Sequence, residues 1–364
     1  MRDQWYGDNR DVVKWAVLVH LAETHQLKKI LQVAFYRPSD TVPMLTAGRR
    51  RAPISPAVIN HFRNLEQIGG LAEAFASQAL KVTEVTAQGS VPELYAVSES
   101  ETCILILDGE ELVGAKQNRI LNTDVLLRPR SKTKIPVSCV EQGRWHHVRP
   151  DFVVGSQAPP AMRARKLSSV SRSLRESGQA RSDQGEVWEG VGELLCAMGT
   201  PSETAAMADA FRQRQDDLGE FVRGLPCPEE AVGVMVMINE RFTCVDLFDR
   251  PRTLQQVWPR LVSGYAADAI AQAAAPVLDE TSVVGAAILD RLRQAECVAC
   301  AGVDLGEDWR FETPELLGSA LVVEGAALHL SAFPSDPAGA RRDSNVGRIA
   351  SPSQRRRPPR PPVY

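Results

Sequence analysis

Apolar residues recur along this chain in two rhythms, one of three to four residues and one of two, and the alternation between them outlines its elements. Residues 11–25 place Val12, Trp15, Ala16, Val19 and Ala22 at helical spacing, which predicts a helix. Residues 28–36 form a short β-prone run ended by Arg37-Pro38. Ser55-Pro56 reads as an N-cap followed by proline at the first helical position, opening a helix that Gly69-Gly70 ends. Residues 1–70 thus read as a helix–strand–helix attachment, too small to bury a core by itself. From residue 80 the period shortens: 80–85, 94–97, 103–107, 112–115, 124–127 and 135–140 are apolar or alternating runs separated by turn residues. So many short strands so close together predict a compact sandwich or barrel-like sheet. Helices are expected over 161–176, 186–198, 202–225, 253–275 and 281–295, with Asp183 as an N-cap. A β-hairpin is expected over 232–248, turning at Asn239-Glu240-Arg241, and three short strands close the fold, the last over 327–333.

The fold class expected is therefore α+β: a β-rich, sandwich-like sheet, then helices, then a second small antiparallel sheet. Residues 334–364 are rich in Pro, Ser, Gly and Arg and have no means of burying a core, so disorder is expected there.

Composition adds limits. The chain has 364 residues, 44% hydrophobic and 24% charged, ordinary for a globular protein. No apolar run approaches the roughly 20 residues that cross a bilayer. The opening is polar and charged, unlike a signal peptide, and a cytoplasmic location is expected. Seven cysteines at scattered spacings argue for reduced thiols rather than a disulfide framework. The tight pair Cys297 and Cys300 lacks further soft ligands downstream, so it is expected as buried or half-buried thiols on a strand. The net charge of −3 hides an arginine-rich tail that contributes about +5 and leaves about −8 on the rest. Nucleic-acid binding is therefore expected only through that tail.

Several local strings coincide with a known family. They are Val91-Pro92-Glu93-Leu94, residues 107–119 from Leu107-Asp108-Gly109 to Asn118-Arg119, and residues 135–145 from Ile135-Pro136 to Arg144-Trp145. Ser182-Asp183-Gln184-Gly185, Leu247-Phe248-Asp249 and Leu330-Ser331-Ala332-Phe333 follow in the same order. Over residues 71–333 the chain resembles the ARG (ADP-ribosylglycohydrolase) and rhodanese-phosphatase-superfamily-associated protein domain. The resemblance implies proximity to bacterial systems that process ADP-ribose, NAD or related nucleotides, in stress or phage conflict. The partners implied are such a ligand or the proteins of such a system. Members of that family begin with additional β-rich sequence before the equivalent of Leu71. Here residues 1–70 hold that place, and their opening resembles the start of another bacterial or phage-type family.

Two polar clusters carry candidate chemistry. The first is Asp108, Glu110, Glu111, Lys116, Gln117 and Arg119. Its carboxylates have the donors to hold a divalent metal or act as a general base, with Lys116 and Arg119 on phosphate oxygens. The bland reading is a charged turn between two strands, and Gly109 makes a turn or bulge as plausible as a continuous strand. The second cluster is Ser138, Cys139, Glu141, Arg144 and Trp145. Cys139 as nucleophile would need a base or positive field, whereas a buried core thiol needs neither, and Trp145 either stacks on a base or packs. Asp183 and Gln184 open a helix, where free N–H groups suit an anion, although a plain N-cap explains Asp183 as well. Walker, Gly-x-Ser-x-Gly and His-Glu-x-x-His signatures are absent. Arg144 lies five positions after Cys139, as in a phosphatase loop, but Glu141 sits where phosphate-binding amides would be wanted. Two functions from different classes follow: a nucleotide- or ADP-ribose-linked accessory binding domain, or a carboxylate-dependent hydrolase or transferase using a divalent metal. A non-catalytic scaffold is the third.

Overall fold

A computed structural model describes residues 13–17, 31–36, 44–53, 68–86, 89–149, 151–239, 241–272 and 285–335. Strands come first: β1 (Val13–Val17), β2 (Leu31–Tyr36), β3 (Met44–Ala47), β4 (Arg50–Pro53) and β5 (Ile68–Gly70). After α1 (Leu71–Ala76) come β6 (Leu80–Glu84), β7 (Glu93–Ser98), β8 (Cys103–Ile106) and β9 (Glu110–Gly114). They are followed by β10 (Arg119–Leu121), β11 (Val125–Leu127), β12 (Lys132–Cys139) and β13 (Phe152–Gln157). Four helices follow, α2 (Pro160–Ser177), α3 (Gln184–Met198), α4 (Met207–Gln213) and α5 (Gln215–Gly224), then β14 (Gly233–Ile238) and β15 (Arg241–Phe248). The last elements are α6 (Pro251–Ala271), α7 (Gly285–Gln294), β16 (Cys297–Ala301), β17 (Glu307–Glu312), β18 (Leu316–Val323) and β19 (Ala326–Pro334).

The mixed α+β class holds, but the second sheet is large rather than small. It has eight strands in the order β1-β2-β14-β15-β19-β18-β17-β16, each antiparallel to its neighbour. Side chains alternate across it, so each face has its own core. Val234, Val236, Leu328 and Phe333 pack under Leu254, Val257 and Leu261 of α6. Met235, Val245, Leu247 and Leu330 pack with Ile288 and Leu292 of α7 and with Leu45 and Ala52 of the β3–β4 hairpin. Burial on both faces is why residues 232–238 read as an unbroken apolar run.

The β-rich segment forms a six-stranded sheet, β13-β9-β10-β12-β7-β6, curled so that β6 and β13 touch. Its inner face carries Val82, Leu94, Leu112, Leu121, Ile135, Val137 and Phe152. Three strands, β11-β8-β5, lie beside it, with β5 parallel to β8.

Several expectations are corrected. The helix expected at residues 11–25 is a strand over Val13–Val17, paired in register with β2. Val13, Trp15 and Val17 alternate as well as Val12, Trp15 and Val19 space helically, and pairing decides between the two periods. β2 in turn pairs with β14, so the strands at Val13–Val17 and Leu31–Tyr36 join the main sheet. The helix expected at 55–68 lies outside the described residues apart from Ile68, which with Gly69-Gly70 forms β5. The long helix at 202–225 is two helices meeting at Arg214, and the closing strands number four. Cys297 and Cys300 lie on β16, buried and half-buried, as expected. Residues 336–364 lie outside the described residues. No described helix is long and apolar enough to cross a membrane.

Candidate ligand-binding site

The first polar cluster is divided by a turn. Gly109 takes φ +80°, and a Cβ there would sit 2.9 Å from Cγ of Arg163. The chain therefore turns at Asp108-Gly109, and the three acidic residues part company.

Asp108 faces the large sheet. Its carboxylate pairs with Lys166 of α2, and Nε of Arg163 lies 3.6 Å from its other oxygen. Arg163 grips Asp246 of β15 with two nitrogens, at 2.8 and 3.1 Å. Tyr265 donates to the same carboxylate at 2.6 Å. His329 of β19 lies between Asp124 at 2.7 Å and Asp246 at 3.3 Å. Asp124 in turn accepts the backbone N–H of Asp108 at 2.7 Å. Burial works against charge on His329, but Asp124 and Asp246 outweigh it and its pKa is pushed up to about 9. This cluster is buried throughout and joins the two sheets.

Glu110 accepts from the Leu107 N–H at 2.8 Å and from Arg260 of α6 at 2.6 Å. Glu111 faces the other way, accepting from the N–H and hydroxyl of Ser156 at 3.1 and 2.6 Å. Burial pushes its carboxyl up to about 7. Each carboxylate thus has its own protein partners. Among the described residues, no group of three or more His, Cys, Asp or Glu side chains is arranged to hold a metal ion.

The rest of that cluster meets the second one at one end of the curled sheet. Arg119 on β10 sits in register between Leu112 on β9 and Cys139 on β12. It therefore shares the inner face with them. Glu84 ends β6 opposite Leu94 on the same face. Three loops close over this end. A Cβ on Gly89 would lie 3.2 Å from Lys116 and 3.3 Å from Trp145, so the loops before β7, after β9 and after β12 touch there. Lys116 Nζ and the Arg119 guanidinium lie 5.5 and 5.7 Å from the Trp145 ring centre, a cation–π arrangement. Trp145 is 47% exposed and Arg119 is fully buried.

Glu141 and Arg144 brace these loops. Arg144 binds Glu141 through Nε at 2.8 Å and Nη2 at 2.6 Å, and donates to the carbonyls of Ala115 and His146. Glu141 also accepts from the Asn118 N–H and the Thr204 hydroxyl. Burial raises its pKa, but these donors, Arg144 foremost, hold it below the usual carboxylate range. Gln117 donates to the Glu141 carbonyl at 2.8 Å and accepts from Arg119 Nη1 at 3.1 Å. The Cys139 thiol donates to the same Gln117 oxygen, and burial pushes it up, away from thiolate. Gln184 bonds both the N–H and the carbonyl of Cys139 at 2.8 Å, extending the ladder of β12 with a side-chain amide. Asp183 caps α3, accepting from Gly185 N at 2.8 Å and Glu186 N at 3.2 Å.

At this end of the sheet the other edge of Arg119 is without a hydrogen bond. Its Nε and Nη2 make no hydrogen bond, and neither do the two carboxylate oxygens of Glu84. The charge of Glu84 acts on Arg119, and burial lowers the Arg119 pKa. Lys116, Gln117, Arg119, Arg144 and Trp145 were all readable as candidates from the strings around them. Glu84 was not, because a single glutamate at the end of a strand carries no local signal. Arg163 and Lys166 were visible only as charges on the buried stripe of an amphipathic helix, next to Met162 and Leu167.

Comparison with known families matches residues 56–333 to the ARG and Rhodanese-Phosphatase-superfamily-associated Protein domain, beginning before Leu71. No curated protein and no solved structure matches the chain.

Proposed function

The chain belongs to the family of ARG and Rhodanese-Phosphatase-superfamily-associated Protein domains, and from that premise we propose that it is an accessory binding domain whose ligand is a nucleotide, held at the Arg119 end of the curled sheet. The family's name supports an association with ADP-ribosylglycohydrolase and rhodanese-phosphatase systems, so ADP-ribose and NAD are the first ligands to try. A stress or phage-conflict setting is part of the same proposal.

One observation carries this reading: a fully buried guanidinium with two nitrogens unpartnered beneath a half-exposed tryptophan. Leaving a buried charged donor unsatisfied costs more than about 1–3 kcal/mol. A ligand that supplies the missing acceptors recovers that cost, and the Nε–Nη2 edge suits paired acceptors on a planar partner. Trp145 adds a face for stacking a base.

The competing reading, a carboxylate-dependent hydrolase or transferase with a divalent metal, has less support. Asp108, Glu110, Glu111 and Glu141 are each buried and each held by a different protein partner. The scaffold reading is favoured for Asp108 by the buried ion cluster it enters, but that cluster does not account for Arg119.

A thermal-shift panel on the full chain with ADP-ribose, NAD, common nucleotides and Mg²⁺ or Mn²⁺ tests the proposal. A ligand at about 100 times its dissociation constant adds about 2.7 kcal/mol. Arg119→Lys keeps the charge but loses the fork, and is expected to abolish the shift while melting cooperatively. No shift with any nucleotide in a cooperatively melting protein would leave the scaffold reading in possession.

A further inference from the structure

We propose that the unpartnered edges of Arg119 and Glu84 together read a guanine base, an inference that rests on the binding reading above and narrows it. The free side of Arg119 is Nε with Nη2, two parallel donors on one edge of a plane. The free side of Glu84 is a carboxylate with both oxygens unpartnered, two adjacent acceptors. The two share one end of the inner face, and the charge of one acts on the other. A ligand that satisfies both must offer a pair of acceptors and a pair of donors from one rigid frame.

Guanine does so. Its O6 and N7 form the acceptor pair that arginine reads side-on, and its N1–H and 2-amino group form a donor pair suited to a carboxylate. Adenine fails on the arginine side, where its 6-amino donor stands in place of O6. A phosphate would satisfy Arg119 but bring its charge against Glu84, so the pair suits the neutral base. Trp145, which lies over Arg119 at 5.7 Å and is 47% exposed, is placed to move onto the purine face.

The test is titration calorimetry of the full chain with GDP, IDP, ADP and ADP-ribose. IDP is GDP without the 2-amino group and reports the Glu84 contact without any mutation. GDP is expected to bind at least about tenfold tighter than ADP, with IDP falling between them. Glu84→Gln, checked for an unchanged melting transition, is expected to reduce the GDP preference over ADP several-fold. Equal or tighter binding of ADP or ADP-ribose would overturn the guanine assignment and leave the binding domain standing. Equal binding of IDP and GDP would show that the 2-amino group meets no acceptor and would overturn the paired contact to Glu84. No binding of any nucleotide would overturn both readings.

Discussion

At the scale of single residues, the buried charges between the sheets dominate. Asp108, Asp124, Asp246 and Asp308 stand among Arg163, Lys166, Arg310 and His329, all at most 5% exposed. The set is neutral when His329 is protonated. Removing one partner leaves an uncompensated buried charge, so Arg163→Leu or Asp246→Leu is expected to destabilise the fold by about 3–5 kcal/mol in chemical denaturation. Loss below about 1 kcal/mol would mean the cluster is open to water. The pH dependence follows from the same groups. The folded pKa of His329 is raised to about 9. Its contribution is thus fully present below the unfolded value of about 6.5 and is lost as pH rises through about 9. Glu111, raised to about 7, works in the same direction, its contribution being lost between the unfolded glutamate value and that pH. Asp124 and Asp246, lowered despite burial because His329 and Arg163 stand against them, contribute stability that is lost on acidification through their folded values. Denaturation midpoints are therefore expected to fall from pH 6 to pH 9.5. A rise over that range would contradict the assigned protonation of His329.

At the scale of elements, what was legible depended on how far pairing agreed with local pattern. The runs that became β6, β7, β8 and β12 are continuous apolar or alternating stretches, as in the half-buried–buried rhythm of β7, and their positions were read within a few residues. β10 was missed because Arg119-Ile120-Leu121 is three residues long and opens on a buried arginine. β13 was missed because Gly155-Ser156-Gln157 reads as loop, although Glu111 needs Ser156 beside it. β1 was read as a helix because its partner, β2, enters no local window. Two substitutions probe element contacts. A Cβ on Gly318 of β18 would lie 2.2 Å from the Phe311 ring and 2.5 Å from the Ser331 carbonyl. Gly318→Ala is therefore expected to cost about 2–3 kcal/mol in the unfolding free energy, since the backbone side cannot give way. Gln184→Ala strips both hydrogen bonds from Cys139 and separates α3 from the end of β12. A cost of about 1–3 kcal/mol is expected in the same measurement. An unchanged midpoint would show that water replaces the amide.

At the scale of the whole molecule, the early strands and the helices form one fabric with the curled sheet. β2 lies against β14, and Arg50 of the β3–β4 hairpin meets Glu307 of β17 at 2.7 Å. The family's span from residue 56 to 333 covers the curled sheet and most of the large one. The strings that carried the resemblance are thus of two kinds. One kind, around Asp108, Asp246 and His329, ties the sheets together. The other, around Lys116, Arg119 and Trp145, gathers at an end of the curled sheet and leaves an arginine edge open. Sequence could not place the first kind, because Asp124 and His329 stand 205 residues apart.

Hydrogen–deuterium exchange of the full chain, with and without the nucleotide that binds tightest in titration, tests that division most directly. The account predicts slowed exchange at residues 89–92, 115–119 and 140–149, with the strands around Asp246 and His329 unchanged. Protection centred on those strands, or no protection by any nucleotide, would contradict it.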